Sequence, residues 1–136
     1  MKTFEEIYQK VREAEKAYDK AESISEKNKI RVQICQATAE ISESSREARI
    51  LWHEYENSRD RGEDCINIRS IVIWDREVEA YVDCMRMFGI TKFVFYSGYT
   101  DAIETAGLFT EYGCKLEGTV KDKDGNHGLL FTVSMR

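Results

Sequence analysis

The residues with the greatest potential for nucleophilic catalysis are two histidines and four cysteines. His53 lies within a helical pattern and His127 lies beside a predicted hairpin turn, and neither neighbours a recognisable nucleophile motif. No CxxC pair occurs, so reduced and partly buried thiols are expected rather than a metal site. The sequence therefore predicts no catalytic residues, no metal and no cofactor. The cysteines are Cys35, Cys65, Cys84 and Cys114.

Two short motifs resemble ligand sites. In DKDGN, a calcium loop that starts at Asp122 would need glycine and glutamate where His127 and Val133 stand, so a hairpin turn is expected. SGYTDAIE opens a helix whose free N–H groups could bind an anion, although Asp101 and Glu104 already place negative charge there. We expect Ser97 or Thr100 to cap this helix. A small-ligand or enzymatic site at the Ser97–Thr100 turn, lined by Tyr96 and Tyr99, is the alternative.

Composition limits the class of partner. The 136 residues carry 25 acidic and 20 basic side chains, a net charge of −5, and 42% of them are hydrophobic. A general nucleic-acid binder needs a basic face, so direct nucleic-acid binding is not expected, whereas an acidic protein suits a basic partner. No apolar run is long enough to span a membrane, and the start MKTFEEIYQK has no apolar stretch. A cytoplasmic location is expected.

Aromatic residues are the candidates for a binding surface. Seven tyrosines and two tryptophans are many for this length, and such residues beside acidic neighbours are common in protein–protein contacts. They also suit the edges of a core, which is the competing interpretation. The residues predicted to bind a protein partner are Trp52, Tyr55, Tyr96, Tyr99, Asp101 and Glu104.

The first part of the chain, residues 1–61, is predicted to be an antiparallel helical hairpin. Apolar or small residues recur every three or four positions from Phe4 to Ala21, and again from Ile30 to Tyr55. Ser23 has capping-box spacing to Glu26, so a second helix should begin there. With no glycine or proline before Gly62, that helix is predicted to run unbroken to about Asp60.

A helix of this length would extend about 20 Å beyond the first. The overhang would carry an apolar stripe that must bury against the rest of the chain or against a second copy, and the two are compatible. The second possibility predicts a homodimer. The stripe consists of Ala48, Leu51, Trp52 and Tyr55.

Residues 62–136 are predicted to form a small α+β domain with the order α-β-α-β-β and a three-stranded mixed sheet. Its helices should begin near Asp75 and Thr100, and Asp124-Gly125 marks the hairpin between the last two strands. Either the last strand lies between the other two, or residues 68–73 add a fourth. Residues 66–74 could be strand or helix. The predicted buried faces are Val78, Tyr81, Val82, Met85 and Phe88, then Ile103, Ala106, Leu108 and Phe109.

The stretch WDREVEAYVDCMRMFGITKFVFYSGYTDAIETAGLFTEYGCKLEGTV resembles an uncharacterised family of small proteins carried on mobile elements and prophages of gut bacteria, as do the charged N-terminal helices. Small acidic proteins on such elements include inhibitors of host defence, among them anti-CRISPR proteins, so the resemblance implies a role of that kind and transfers no catalytic residues. It is carried by Trp74, Glu77, Val78, Gly89-Ile90, the Phe93-x-Phe95 strand, Thr105-Ala106, Phe109, Gly113-Cys114 and Leu116-Glu117-Gly118.

The leading hypothesis from these patterns is a non-enzymatic interaction protein that binds a protein partner through an acidic, tyrosine-bearing surface. Its most specific form is an inhibitor of a bacterial nuclease or CRISPR complex, because a basic nucleic-acid channel attracts an acidic protein. A ligand-binding or enzymatic domain is one alternative. A homodimeric structural or regulatory protein is the other.

Overall fold

A computed structural model of the chain describes residues 2–68, 71–96 and 101–135, and the protein is mixed α+β, as predicted. The helices within these residues are α1 (Phe4–Lys20), α2 (Ile24–Ala37), α3 (Ala39–Ser42), α4 (Arg46–Asp60), α5 (Val78–Met87) and α6 (Ala102–Glu111), with a 3₁₀ turn at Asp75–Glu77 before α5. The strands are β1 (Ile66–Ile68), β2 (Lys92–Phe95), β3 (Cys114–Lys121) and β4 (His127–Val133). No helix within these residues is long and apolar enough to cross a membrane.

The N-terminal hairpin consists of α1 packed against α2. The side chain of Thr3 accepts a hydrogen bond from the Glu6 N–H and caps α1, and that of Ser23 accepts one from the Glu26 N–H and caps α2. The predicted start of the second helix at Ser23 is therefore confirmed.

The prediction of one unbroken helix from Ile30 through Tyr55 is wrong. The helix ends at Thr38, whose hydroxyl donates to the Ile34 carbonyl oxygen, and α4 starts afresh at Ser45, whose side chain accepts from the Ala48 N–H at 3.1 Å. Serine and threonine offer the backbone such alternative partners, which a spacing of apolar residues does not reveal. The break removes the predicted overhang.

The apolar stripe expected on the overhang is instead buried within the chain, which was one of the two alternatives. Ala48 and Leu51 are fully buried, while Trp52 and Tyr55 are half-buried. The ring of Phe4 in α1 lies 5.3 Å from the ring of Trp52 and 5.5 Å from that of Tyr55. Phe4 also stacks on Phe88, which follows α5, at 4.7 Å.

The sheet has four strands in the order β1-β2-β4-β3, which corrects the predicted three. The last strand does lie between β2 and β3 and is antiparallel to both, as favoured, and Ile66–Ile68 adds a parallel edge strand beside β2. The other alternative, a fourth strand at residues 68–73, was placed too late in the chain, because a three-residue strand is too short to give a recognisable alternation.

Helices α5 and α6 cover one face of the sheet. The predicted buried face of α5 is confirmed, since Val78, Tyr81 and Val82 have no exposed area. On α6, Phe109 is buried as predicted, but Ile103 is 85% exposed, so its predicted burial is wrong, and Thr105 lies in the core instead. The inward side of α6 is therefore rotated away from Ile103.

Two predicted caps also need correction. Asp101 caps α6 by accepting from the N–H groups of Ile103 and Glu104, whereas Ser97 and Thr100 lie outside the described residues. Asp75 opens the 3₁₀ turn rather than capping α5, and its carboxylate accepts from the Thr105 hydroxyl at 3.4 Å.

One continuous hydrophobic core includes Phe4 from α1, Leu51 from α4 and Phe131 from β4. Residues on both sides of position 61 thus share it. The division into domains 1–61 and 62–136 stays a prediction.

Candidate protein-interaction surfaces

The net charge of the protein is concentrated in one layer, formed by the 3₁₀ turn, α5 and α6 with its cap. Residues 75–87 and 101–111 hold seven carboxylates and two guanidinium groups, which amounts to the full −5, and the other residues hold 18 groups of each sign. We call this layer the acidic layer. Its charged residues are Asp75, Arg76, Glu77, Glu79, Asp83, Arg86, Asp101, Glu104 and Glu111.

Two charged side chains of the acidic layer, those of Glu77 and Arg86, form hydrogen bonds with other parts of the chain. Glu77 accepts from the Arg46 guanidinium at 2.8 Å and from the Trp74 N–H at 3.0 Å, and these bonds, the one to Trp74 foremost, lower the pKa of Glu77. Arg86 donates to the carbonyl oxygens of Tyr112 and Ser134 and so fastens α5 to both ends of the β3–β4 hairpin. The basic side chain of Arg86 is thereby held by the backbone.

The remaining carboxylates of the acidic layer face solvent. Asp101 and Glu104 are exposed at the start of α6, and Glu111 is exposed at its end. Glu79 on α5 lies close enough to Tyr112 for its charge to raise the pKa of that phenol. Ile103, exposed between Asp101 and Glu104, adds an apolar side chain to the same surface.

The predicted partner-binding residues fall in three places. Asp101 and Glu104 share the exposed end of the acidic layer, and Tyr96 is half-buried on the opposite face of the sheet. Trp52 and Tyr55 stack on each other at 6.0 Å against α1. Tyr99 lies outside the described residues.

Tyr55 belongs to a polar network that holds α1 on α4. Its hydroxyl donates to Glu5, and the Arg59 guanidinium lies 2.8 Å from the same carboxylate; these bonds, that of Tyr55 foremost, lower the pKa of Glu5. Tyr8 and Arg12 reach Asp60 at 2.7 and 2.9 Å and lower its pKa in the same way. Tyr55 therefore has a structural role in this contact.

The other face of the sheet contains a groove of about 390 Å³ that the sequence did not predict. The strand register places Asn67, Val94 and Leu130 side by side on its floor. Tyr96 lies over Gly128, where a Cβ atom would come within 2.9 Å of the ring. The available signals were the polar Asn67 between two isoleucines and the glycine in the last strand.

Among the four cysteines, Cys84 and Cys114 are buried, Cys65 is half-buried and Cys35 is exposed. Burial raises the pKa of Cys65, of Cys84, and of Cys114 to about 11, which keeps these thiols protonated near neutral pH. The Cys84 sulfur lies 3.3 Å from the Ser45 hydroxyl that caps α4. Residues 2–68, 71–96 and 101–135 contain no group of three or more His, Cys, Asp or Glu side chains arranged to hold a metal ion.

Comparison with protein families finds a match that covers the second part of the chain. The model of the family described as Domain of unknown function (DUF7698) matches residues 50–128, more than half of the chain. The chain belongs to this family. The DUF7698 match begins within α4 and ends at the second residue of β4, so it contains the acidic layer and the strands β1, β2 and β3, while α1, α2 and α3 precede it. No curated protein and no solved structure matches the chain significantly.

Proposed function

We propose that this DUF7698 protein is a non-enzymatic interaction protein that binds a basic protein partner through the acidic layer. The observation that supports the proposal is that the acidic layer, formed by the 3₁₀ turn, α5 and α6 with its cap, carries a charge equal to the entire net charge of the protein. A concentrated field of one sign speeds encounter with a partner of the opposite sign and disfavours like-charged partners. Ile103 supplies an apolar contact within that field.

The most specific form of the proposal is inhibition of a bacterial nuclease or CRISPR complex. A nucleic-acid channel is lined with lysine and arginine, so an acidic helical surface can occupy it in place of phosphate groups. The resemblance to proteins of mobile elements supports a target among host defence nucleases.

A cleavage assay tests this form of the proposal. Purified RNA-guided nuclease complexes are incubated with the wild type, with Glu104→Lys/Glu111→Lys, and with Glu22→Lys/Glu26→Lys as a control of equal charge change. Glu22 and Glu26 are exposed at the tip of the hairpin, outside the DUF7698 match.

We expect the wild type and the control to inhibit cleavage, with inhibition weakening as salt rises. The acidic-layer variant should bind at least about tenfold more weakly, which corresponds to about 1.4 kcal/mol. Equal inhibition by both variants would exclude the acidic layer, and failure of the wild type to inhibit any of the complexes would contradict the nuclease proposal.

A further inference from the structure

The exposed face of the sheet, which contains the groove, carries two glycines, Gly118 and Gly128. Gly118 follows Asn67, Val94 and Leu130 in one row across the four strands, and Gly128 lies between Tyr96 and Val120 in the next row. The space around Gly118 is open, whereas the side chains of Val94 and Tyr96 fill the place that a Cβ atom of Gly128 would take. Four strands about 4.8 Å apart span about 14 Å, the length of about four extended residues.

Asn67 is the unusual residue of this floor. It is only 5% exposed, and its backbone N–H donates to the Ser58 hydroxyl at 3.0 Å. Its side-chain amide makes no hydrogen bond with any residue that the structure describes, yet it lines the groove. The nitrogen and oxygen atoms of this amide are not fully buried, so they reach the solvent of the groove, where a ligand can bond to them.

The rim of the groove carries charges of both signs. Lys92 lies 3.3 Å from Asp64 at one end, and Lys121 lies beside Asp122 at the other, with Glu63 also on the rim. Two cations and three anions leave no strong field of either sign. Such a rim lacks the positive surface that nucleic acid requires.

We propose that this groove is a second binding site, which takes an extended peptide segment across the sheet. The side-chain amide of Asn67 offers one acceptor and two donors, which match the N–H and C=O of a peptide backbone. Val94, Leu130 and Val120 supply an apolar floor for an aliphatic side chain of the peptide. The volume of about 390 Å³ lies within the range of about 300–1,000 Å³ that is typical of ligand sites.

The test selects peptides from a displayed library of random heptapeptides on the full-length wild type, with subtraction on Asn67→Leu. A selected peptide is then synthesised and titrated into ¹⁵N-labelled protein. We expect saturable shifts in the side-chain NH₂ signals of Asn67 and in the backbone amides of Val94 and Leu130. Affinity should fall at least tenfold in Asn67→Leu and stay unchanged in Asn28→Leu, whose site is exposed on α2.

Stability measurements separate loss of the site from loss of the fold. Because leucine replaces an amide that has no partner among the described residues, Asn67→Leu should melt at the same temperature as the wild type or higher. If that variant fails to fold, Leu130→Lys, which places a charge on the floor of the groove, takes its place. Failure to enrich any peptide over the variant, or shifts confined to the acidic layer, would overturn the proposal.

Discussion

At Gly128 the sheet leaves no room for a side chain. A Cβ atom built there would lie 2.6 Å from Cγ1 of Val94 and 2.9 Å from the ring of Tyr96, although the backbone itself is not strained. The positions of Val94 and Tyr96, which line the groove, therefore depend on the absence of a side chain at Gly128. The sequence shows this glycine but not its neighbours, because β2 and β4 meet only in the folded sheet.

We expect Gly128→Ala to destabilise the protein by about 1–3 kcal/mol, because the methyl group overpacks the contact with Val94 and Tyr96. Gly107→Ala is the matched control. Gly107 lies inside α6 with open space around it, so alanine there should stabilise the protein by about 0.5–1 kcal/mol. Urea unfolding midpoints measure both changes, and a neutral Gly128→Ala would contradict the geometry of the groove.

Some residues of the candidate surfaces could be predicted from the sequence, and others could not. Asp101 and Glu104 were chosen for their charge at a helix start, and both are exposed there. Ile103 was assigned to the core by its hydrophobicity, but the rotation of α6 is set by the burial of Thr105 and Phe109. The position of Asn67 in the groove was not predicted, because a single polar residue in a short apolar run does not show which face of the sheet it occupies.

At the scale of elements, the break between α2 and α4 decides the architecture. Apolar residues do recur regularly from Ile30 to Tyr55, but the chain reverses direction between α2 and α4. Ser45 caps the start of α4 after this reversal. Hydrophobic period alone could not distinguish a long helix from two helices that face the same core. The elements after residue 75 were predictable because Gly89 and Gly113, with positive φ, end helices where the sequence places them.

We expect Ser45→Ala to destabilise the protein by about 1 kcal/mol, because the Ala48 N–H loses the side chain that caps α4. Ser44→Ala, an exposed neighbour without a capping bond, should change stability by less than about 0.5 kcal/mol. Thermal unfolding compares the two. Equal stability of both variants would indicate that α4 does not begin at Ser45.

The contact between α1 and α4 should weaken in acid. The pKa values of Glu5 and Asp60 are lowered in the folded protein, so each carboxylate stabilises the fold at neutral pH and loses that contribution as pH falls through its folded pKa. We expect stability to fall below about pH 4, near the unfolded values. The Glu5→Gln/Asp60→Asn variant should show a flatter dependence between pH 5 and 3 in urea titrations, and an unchanged slope would contradict the network.

At the scale of the molecule, one core joins the N-terminal helices to the DUF7698 domain. Phe4 contributes the central ring, since it contacts Trp52, Tyr55 and Phe88. The opposite faces of the sheet carry different surfaces, with the acidic layer on one side and the groove on the other. The sequence predicted the acidic balance, but only the fold shows that it is confined to one layer.

We expect Phe4→Ala to destabilise the whole protein by about 3–5 kcal/mol, because it removes a fully buried ring. Tryptophan fluorescence and far-UV circular dichroism should report the same unfolding midpoint, since both halves share the core. Separate midpoints would favour the predicted division at residue 61 into two independent domains.

The most direct test of the central claim is the hydrogen-exchange footprint of the protein in complex with any nuclease that the cleavage assay finds to be inhibited. We expect slowed exchange in residues 75–87 and 101–111, with little change at the tip of the α1–α2 hairpin. Protection confined to the hairpin tip would show that the acidic layer is not the binding surface.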